Sequence, residues 1–208
     1  MYVISHRGND KHKFKENTLE AINEVLKCNY IDGVEFDVRM TKDNKFILSH
    51  SPIYKDDLIK NKKQKKLNLD ELNYVLKNIK TNKIILIDIK YELFDYKRVA
   101  LYLNKVLKKY KRLNIYICSF NYDLVLYMKE KYNYTSGLLV SNVINRGKDY
   151  SLFDFISINY KVDKKINNIL MYWTINKKDI MKKYLNKDVY IITDKPYLKE
   201  ELKKNYWQ

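Results

Sequence analysis

The feature that most constrains the fold of this chain is the regular alternation of short apolar runs with longer amphipathic runs along its 208 residues. Short runs rich in β-branched and aromatic residues predict strands, and apolar residues at helical spacing predict helices. The predicted strands cover residues 2–5, 32–38, 45–50, 83–90, 114–120, 136–140, 153–159, 168–175 and 188–194. The predicted helices cover residues 18–28, 68–79, 95–110, 122–132, 177–184 and 196–205.

Eight of these strands alternate with helices in the manner of parallel strand–helix units, and residues 45–50 form an extra strand beside the second one. Because such units build a parallel sheet, eight of them predict an α/β fold of the (β/α)₈ TIM-barrel type. The chain is short for such a barrel, and a doubly wound open sheet is the alternative from the pattern alone. No linker or break in composition divides the sequence, so we expect a compact single domain over residues 1–208.

The net charge of +16 is a strong basic bias, with 41 Lys and Arg against 25 Asp and Glu. Such a charge favours anionic partners, including phosphate substrates, nucleic acid and acidic membrane surfaces. The lysines are scattered over nearly every predicted helix, so a general compositional preference for lysine is the simpler explanation. The densest lysine run, residues 59–68, is accordingly interpreted as a solvated loop.

Composition and the first residues set the expected location of the protein. No apolar run approaches the roughly 18 residues of a membrane span, and MYVISHRG lacks the regions of a secretory signal. Cys28 and Cys118 have no metal-type spacing and make no disulfide framework, which fits structural thiols. We therefore expect a cytoplasmic protein.

Polar side chains interrupt the apolar pattern mainly near the C-terminal ends of the predicted strands. Those ends surround one face of a (β/α)₈ barrel, so residues distant in sequence are expected to converge on a single site there. The residues concerned are His6, Arg7, Glu35, Asp37, His50, Asp88, Lys90, Asn159, Trp173, Thr193 and Asp194.

Two of the strands, GVEFD at residues 33–37 and LIDIK at residues 86–90, carry charges at alternate positions. Alternate strand residues point to one face, and burying an unpaired charge is costly. The pattern therefore indicates that these three carboxylates and one lysine share a binding role.

The ordered motifs of the chain resemble those of the glycerophosphodiester phosphodiesterase family. The segments that carry the resemblance are SHRGN, KENTLEAI, DGVEFDVRMTKDNKFILSHSP, SF at residues 119–120, WTIN at residues 173–176 and IITDKP at residues 191–196. They run from His6 to Pro196, and the ordered set is specific although each motif is weak alone. The resemblance implies a (β/α)₈ barrel of glycerol and lipid metabolism. It further implies metal-dependent hydrolysis of glycerophosphodiesters to an alcohol and sn-glycerol 3-phosphate.

The resemblance also implies roles for individual residues. The metal ligands are Glu35, Asp37 and Asp88, the catalytic acid–base pair is His6 and His50, and the residues that bind the substrate or its phosphate are Arg7, Lys90, Glu16, Asn17 and Trp173. Hard cations take oxygen ligands, so Mg²⁺ or Ca²⁺ is the expected cofactor, with Mn²⁺ as a third candidate. An imidazole titrates near neutral pH, so either histidine can be acid or base.

Three aromatic or histidine side chains are harder to assign. Trp173 either stacks in the pocket or caps the barrel, and Phe120 is expected to pack in the core. His12 lies in a polar loop and is interpreted as a bystander.

Four positions depart from the family pattern. Lys15 replaces the proline before Glu-Asn, Ser51 replaces the aspartate that usually follows the second histidine, and Asp88 replaces a glutamate. The segment after His50 is compact and lysine-rich, which leaves the alcohol specificity open.

Other interpretations remain beside this one. Asp88 and Ser51 also resemble the sphingomyelinase D-like phospholipases, so a lysophospholipase D or sphingomyelinase D-like enzyme is the main alternative. A third interpretation is a non-catalytic barrel that binds an anionic ligand. The expected partner is a small-molecule glycerophosphodiester. The basic surface also allows peripheral contact with an anionic membrane, whereas no nucleic acid is expected and the oligomeric state is open.

Overall fold

The computed structural model describes residues 1–11, 13–55, 57–90, 94–141, 149–162 and 166–204. The strands are β1 (Tyr2–Ser5), β2 (Gly33–Met40), β3 (Phe46–Leu48), β4 (Ile53–Tyr54), β5 (Asp57–Leu58), β6 (Ile84–Ile89), β7 (Asn114–Ser119), β8 (Thr135–Val140), β9 (Phe155–Asn159), β10 (Leu170–Trp173) and β11 (Tyr190–Thr193). The α-helices of the described residues are α1 (Leu19–Leu26), α2 (Leu72–Asn78), α3 (Tyr96–Leu107), α4 (Tyr122–Tyr132), α5 (Lys178–Lys182) and α6 (Leu198–Lys204).

Eight parallel strands close into a barrel in the order β1, β2, β6, β7, β8, β9, β10 and β11. Closure is completed by β1, which pairs with β2 on one side and with β11 on the other. This pairing excludes the open-sheet alternative and confirms the α/β TIM-barrel fold. The extra strand, β3, runs antiparallel to the end of β2, and β4 and β5 form a small separate hairpin that the sequence pattern did not predict.

The side chains of each strand divide between two apolar layers. Ile4, Leu86, Phe155, Met171 and Ile192 pack inside the barrel. The alternate residues of the strands pack outward against the helices and form the larger part of the core. This outer layer includes Ile22, Val34, Phe36, Ile87 and Leu103.

The chain builds a complete barrel from few residues because two strand-to-strand connections are short. The described residues between β8 and β9 contain only a 3₁₀ turn, Tyr150–Leu152, and those between β9 and β10 contain no α-helix. Within the part of the chain that the structure describes, the expected alternation of strands with helices is therefore incomplete on this side of the barrel. Among the described residues, moreover, no helix is long and apolar enough to cross a membrane.

Side-chain caps explain where several helices begin. Thr18, Asp95 and Asn121 each accept a hydrogen bond from a backbone N–H in the first turn of α1, α3 and α4, respectively. Helix α2 begins later than predicted, at Leu72, because the residues before it are used elsewhere. The carboxylate of Asp70 accepts the Leu19 N–H, its carbonyl accepts the Leu48 N–H, and Glu71 forms a β-bridge with Ile47.

Candidate active site

Many of the predicted site residues converge at the C-terminal ends of the strands and line a cavity of about 290 Å³, whereas Glu16, Asn17, Asn159, Thr193 and Asp194 are not part of its lining. The floor of the cavity is the top of the apolar barrel interior, including Leu86 and Ile192. The polar and aromatic residues of its wall are His6, Arg7, Glu35, Asp37, His50, Asp88, Lys90, Cys118, Phe120, Ser157, Trp173 and Thr174.

Three buried carboxylates form the centre of the site. Glu35 and Asp37 occupy alternate positions of β2, and Asp88 of β6 lies opposite Asp37 in the parallel register. The three residues are 4%, 1% and 6% exposed, and one oxygen of each lies within 4.8 Å of the others. The alternation in GVEFD and LIDIK therefore does direct charge into the barrel.

Lys90 lies between two of these carboxylates. Its Nζ is 2.8 Å from Asp37 Oδ1 and 2.5 Å from Asp88 Oδ2. A Glu35–Lys90 ion pair is not among the ion pairs of the described residues. Burial lowers the pKa of Lys90, but the charges of Asp88 and Asp37 outweigh it and raise this pKa above its usual value. Lys90 is therefore a permanent cation at the centre of the site.

The carboxylates differ in how easily they ionise. Burial and the neighbouring Asp37 raise the pKa of Glu35 to about 8, and burial raises the pKa of Asp88 to about 6 against the charge of Lys90. The pKa of Asp37 is lowered, because Lys90, Asn17 and Arg7 together outweigh its burial. Positive charge placed among these groups would favour the ionised form of each.

The donor set fits a hard divalent cation. It consists of carboxylate oxygens, which Mg²⁺, Ca²⁺ and Mn²⁺ prefer. Asp88 Oδ1 is buried without a hydrogen-bond partner among the described residues, and a buried polar atom of this kind requires an explanation. A cation held by Glu35, Asp37 and Asp88 would provide one.

Asp37 is contacted by Arg7 and Asn17, and Arg7 is in turn contacted by Glu16. The Arg7 backbone N–H donates to Glu35 Oε2, and its guanidinium Nε lies 3.1 Å from Asp37 Oδ2. Asn17 donates to Asp37 Oδ2 and accepts the Asp37 N–H through its side-chain oxygen, each at 2.9 Å. Glu16 accepts a hydrogen bond from Arg7 at 2.9 Å. Of these three residues, only Arg7 reaches the cavity wall; Glu16 and Asn17 line a neighbouring groove.

The first histidine is held by a residue to which the sequence motifs assigned no role. His6 Nδ1 lies 2.7 Å from Asp194 Oδ1, just beyond β11, and His6 Nε2 lies 3.9 Å from Glu35. Asn176 donates to Asp194 Oδ2 at 2.6 Å and accepts the Asp194 N–H at 2.9 Å. The available signal was the polar end of the strand in TD at residues 193–194, together with WTIN.

These contacts raise the pKa of His6. Burial of the ring lowers this pKa, but the hydrogen bond to Asp194 and the charges of Glu35 and Asp194 outweigh that effect. The pKa of Asp194 is in turn lowered, because His6 and Asn176 favour its ionised form over the opposing effect of burial. The pair is therefore biased toward an imidazolium beside a carboxylate.

The second histidine lies at the open edge of the cavity. His50 is exposed, and its ring makes no hydrogen bond within the described residues, whereas its carbonyl accepts two hydrogen bonds from Arg39. Its partial burial, together with the charges of Arg7 and Lys90, lowers its pKa. Ser51 does not orient the ring, since its hydroxyl bonds the backbone of Ile53.

His50 also lines a second groove, of about 490 Å³, beside the cavity that contains the carboxylates. The groove runs between the residues that precede α1 and the segment that follows β3. Its wall is formed by Lys15, Glu16, Asn17, Thr18, Glu20, Leu48, Ser49, His50, Ser51, Ile53, Tyr54, Leu67, Asn68, Leu69 and Asp70.

Two aromatic residues contribute to the cavity wall. Trp173 and Phe120 both line the cavity, with ring centroids 6.1 Å apart in an edge-to-face arrangement. The expectation that Phe120 packs in the core is wrong, because Phe120 directly follows β7 and is 49% exposed. The indole Nε1 of Trp173 is buried without a partner among the described residues. His12, the third histidine, lies outside the described residues.

Comparisons with known proteins agree with this geometry. Residues 6–88 match the model of the glycerophosphoryl diester phosphodiesterase family. No curated protein matches the sequence.

The fold is shared with solved structures over essentially the whole chain. A glycerophosphodiester phosphodiesterase from Parabacteroides distasonis is 20% identical, with a TM-score of 0.82 and coverage of 100% of this chain and 98% of its own. A phosphodiesterase from Oleispira antarctica, solved with the product sn-glycerol-3-phosphate, is 18% identical, with a TM-score of 0.84 and coverage of 98% and 97%.

A further glycerophosphodiester phosphodiesterase, from Thermotoga maritima, is 24% identical, with a TM-score of 0.76 and 98% coverage of both chains. At these identities the structures establish the fold, and the family model adds the N-terminal motifs that carry His6, Glu35, Asp37, His50 and Asp88. In its motifs, in the family match over residues 6–88 and in its fold, this chain is similar to the glycerophosphodiester phosphodiesterases.

Proposed function

We propose that the protein hydrolyses glycerophosphodiesters to an alcohol and sn-glycerol 3-phosphate, with a divalent cation bound by Glu35, Asp37 and Asp88. The observation that carries the proposal is the set of three buried carboxylates between His6 and His50 at the mouth of the barrel. The bound cation would supply positive charge to the phosphate and to the reacting oxygen.

The protein's own cations bind the phosphate in this proposal. Arg7 and Lys90 line the cavity on the same side as the carboxylates. Their charges lie where negative charge grows on the phosphate oxygens as the reaction proceeds, which lowers the barrier. Trp173 Nε1 is a further donor for a substrate oxygen, and the cavity wall formed by Trp173 and Phe120 contacts the apolar part of the substrate.

The two histidines divide the proton transfers. His50, whose pKa is lowered, starts neutral and takes the proton of the attacking hydroxyl or water. His6, whose pKa is raised, starts protonated and donates its proton to the leaving alcohol. Asn17 and Asp194 act as positioning residues, the first for Asp37 and the second for His6.

A leaving-group comparison tests this division. Nitrophenol is acidic enough to leave a glycerol nitrophenyl phosphodiester as its anion, without protonation. His6→Ala is therefore expected to lose about a hundredfold in kcat on glycerophosphocholine and far less on the nitrophenyl ester. His50→Ala is expected to lose activity on both substrates. If instead His50→Ala lost activity on glycerophosphocholine alone and His6→Ala lost it on both substrates, His50 would be the acid. Full activity of either variant on glycerophosphocholine would exclude a catalytic role for the substituted histidine.

The cation is tested on the chelated protein, without reliance on turnover. Mg²⁺, Ca²⁺ and Mn²⁺ are added separately, and the melting temperature and the heat of binding are measured for the native protein and for Asp88→Asn. We expect a cation-dependent rise in melting temperature that Asp88→Asn weakens. Hydrolysis of glycerophosphocholine or glycerophosphoethanolamine is then measured with the same ions, and absence of metal-dependent turnover on any glycerophosphodiester would contradict the proposal.

The attacking oxygen is that of water or that of the substrate hydroxyl next to the phosphate. The second route releases a cyclic phosphate before sn-glycerol 3-phosphate. Phosphorus NMR of the early reaction distinguishes the routes, because only the second gives a transient cyclic species.

A lysophospholipase D-like activity is the second candidate, and exposed apolar residues at the mouth favour it. Phe120 is 49% exposed and Ile53 is 55% exposed, so both can contact an acyl chain. Lysophosphatidylcholine and glycerophosphocholine are compared at equal concentration. A higher kcat/KM for the lysolipid would make the lipid the preferred substrate.

A further inference from the structure

The densest lysine run of the chain lies beside the catalytic mouth, and the reaction proposed above gives it no role. Residues 51–68, the basic platform, contain six lysines and two aspartates. The platform begins directly after His50, and its residues Ser51, Ile53, Tyr54, Leu67 and Asn68 form one wall of the groove that meets the catalytic cavity. The basic platform therefore lies beside the entrance to the site, and Lys66 directly precedes the groove residue Leu67.

The basic platform is folded against the barrel. Ile59 and Leu67 are buried and pack with Ile47 of β3 in a small apolar cluster. Backbone hydrogen bonds tie it to the β2–β3 turn, where Lys42 donates to the Lys62 carbonyl at 2.9 Å and Asp43 accepts the Gln64 N–H at 2.9 Å. Residues 59–68 are thus a surface segment with two short 3₁₀ turns, anchored to the barrel through Ile59 and Leu67. The lysines are displayed on a fixed surface.

The outer lysines of the basic platform have no carboxylate partner among the residues that the structure describes. Asp57 is used within the platform, where it pairs with Lys62 at 3.3 Å and accepts the Leu58 N–H. Lys63, Lys65 and Lys66 are exposed, and none of the ion pairs within the described residues includes them. Three adjacent unneutralised cations favour a polyanionic partner.

Exposed apolar side chains accompany this charge. Ile53, on the basic platform, is 55% exposed, Phe120 at the cavity wall is 49% exposed, and Phe14 is 40% exposed one residue before Lys15 of the groove wall. Lysines next to exposed apolar side chains are typical of surfaces that sit in the headgroup region of a membrane. A nucleic acid would use the charge but has no complementary surface for an aliphatic side chain such as Ile53.

We propose that the basic platform binds an anionic lipid surface and holds the mouth of the barrel against it. Lys63, Lys65 and Lys66 contact the lipid headgroups, and Ile53 enters the boundary between headgroups and acyl chains. The catalytic opening then faces the membrane. The proposal concerns attachment alone, so it stands or fails separately from the substrate of the site.

Charge reversal at two matched places tests the proposal. The full chain and its variants are sedimented with vesicles of phosphatidylcholine alone or of equimolar phosphatidylcholine and phosphatidylglycerol. The test variant is K63E/K65E/K66E. The control is K108E/K109E/K111E, which changes the same charge at the C-terminal end of α3, at the opposite end of the barrel. Melting curves of each variant establish that it is folded.

We expect the native protein to bind only the anionic vesicles. Since each lysine near such a surface contributes about fivefold, the test variant should lose about a hundredfold in partitioning, and Ile53→Ser should weaken it further. The control should stay within about threefold, because charges beyond a Debye length of about 10 Å are screened.

Three outcomes would overturn the proposal. Absence of binding to anionic vesicles would exclude a lipid partner. Equal loss in the test and control variants would mean that the net charge of +16 alone attracts the protein. The third outcome combines two results. Ile53→Ser leaves vesicle binding unchanged, and the native protein binds duplex DNA in a salt-sensitive manner that the test variant loses. The platform would then be a nucleic-acid surface.

Discussion

At the scale of single residues, the site is organised by pairs in which one side chain controls the charge of another. His6 illustrates this most directly, because its Nδ1 is committed to Asp194 and only Nε2 is left for chemistry. The tautomer and the ring orientation are both fixed by this contact. Asn176 fixes Asp194 in the same manner, so the histidine is held through two successive hydrogen-bonding residues.

Asp194→Asn tests the control that Asp194 exerts on His6. The amide keeps the shape of the side chain and removes its charge, so we expect the pKa of His6 to fall and kcat on glycerophosphocholine to drop about a hundredfold. Proton NMR of the imidazole follows the pKa, and initial rates follow kcat. Asn176→Ala is the milder control. An unchanged pKa in Asp194→Asn would show that the contact does not set the charge of the ring.

The same pair predicts how stability depends on pH in the chelated protein. The folded-state pKa of His6 is raised above 6.5, so its pairing stabilises the fold fully below that pH. This contribution is lost as the pH rises through the raised pKa. Urea unfolding across this range should show a decline that Asp194→Asn lacks. An identical pH dependence in both proteins would contradict this assignment.

Lys90 controls the charge among the carboxylates. Lys90→Met leaves Asp37 and Asp88 facing each other without their shared cation, and breaking such a buried pair costs about 3 kcal/mol. We expect a lower free energy of unfolding in chelator and a larger recovery on addition of Mg²⁺ than the native protein shows. Urea titrations with and without the ion measure both effects. A variant as stable as the native protein in chelator would contradict the role of Lys90.

At the scale of elements, the packing of Phe155 inside the barrel depends on a glycine in the neighbouring strand. A Cβ on Gly137 of β8 would lie 2.2 Å from the ring of Phe155 in the neighbouring strand β9. Phe155 is 1% exposed and fills the barrel interior, so the ring has little room to move. The absence of a side chain at Gly137 therefore permits the large side chain of its neighbour.

Gly137→Ala is expected to lower the free energy of unfolding by about 2 kcal/mol through overpacking. Shortening the neighbour should relieve the clash, so the double variant Gly137→Ala with Phe155→Leu should lose less than the two single variants combined. Urea unfolding of the four proteins gives the coupling. Strict additivity would mean that the two positions do not share the space.

The elements themselves were largely predictable from the sequence, and the reasons are local. The period of apolar residues placed every strand of the barrel, and α4 begins and ends where predicted, at Tyr122 and Tyr132. The hairpin β4–β5 was missed because its two-residue strands carry no periodicity. The start of α2 was misplaced because Asp70 and Glu71 make tertiary contacts that no local pattern reveals.

The site was predictable only in part. The carboxyl ends of the strands bring His6, Glu35, Asp37 and Asp88 together, as the sequence pattern predicted. The role of Asp194 and the exposure of Phe120 were missed, because both depend on which way a residue just past a strand end is turned. That direction is decided by tertiary neighbours.

At the scale of the whole molecule, a half-buried ion pair joins the last helix to the start of the barrel. Lys199 of α6 is 8% exposed at its side chain, and its Nζ lies 2.5 Å from Asp32 Oδ2, which also accepts the Val3 N–H at 2.7 Å. The contact joins the C-terminal helix to β1 and to the entry of β2. It therefore supports the closure of the barrel.

Two lysine substitutions compare a half-buried pair with an exposed one. Lys199→Met should lower the free energy of unfolding by about 2 kcal/mol, because the partly exposed Asp32 carboxylate loses its cation. Lys178→Met removes the exposed pair with Glu201 on the same side of the chain and should cost less than about 1 kcal/mol. Thermal melting of both variants measures the difference. An equal loss of stability in the two variants would show that the ion pair of Lys199 does not stabilise the closed barrel.

The contact between His6 and Asp194 joins positions separated by 188 residues. During synthesis the carboxylates on β2 and β6 emerge first, whereas the partner of His6 leaves the ribosome about a hundred residues after Asp88. A nascent chain thus contains the three carboxylates well before His6 can be held by Asp194. Because β11 both closes the barrel and precedes Asp194, closure of the barrel and fixation of His6 become the same event.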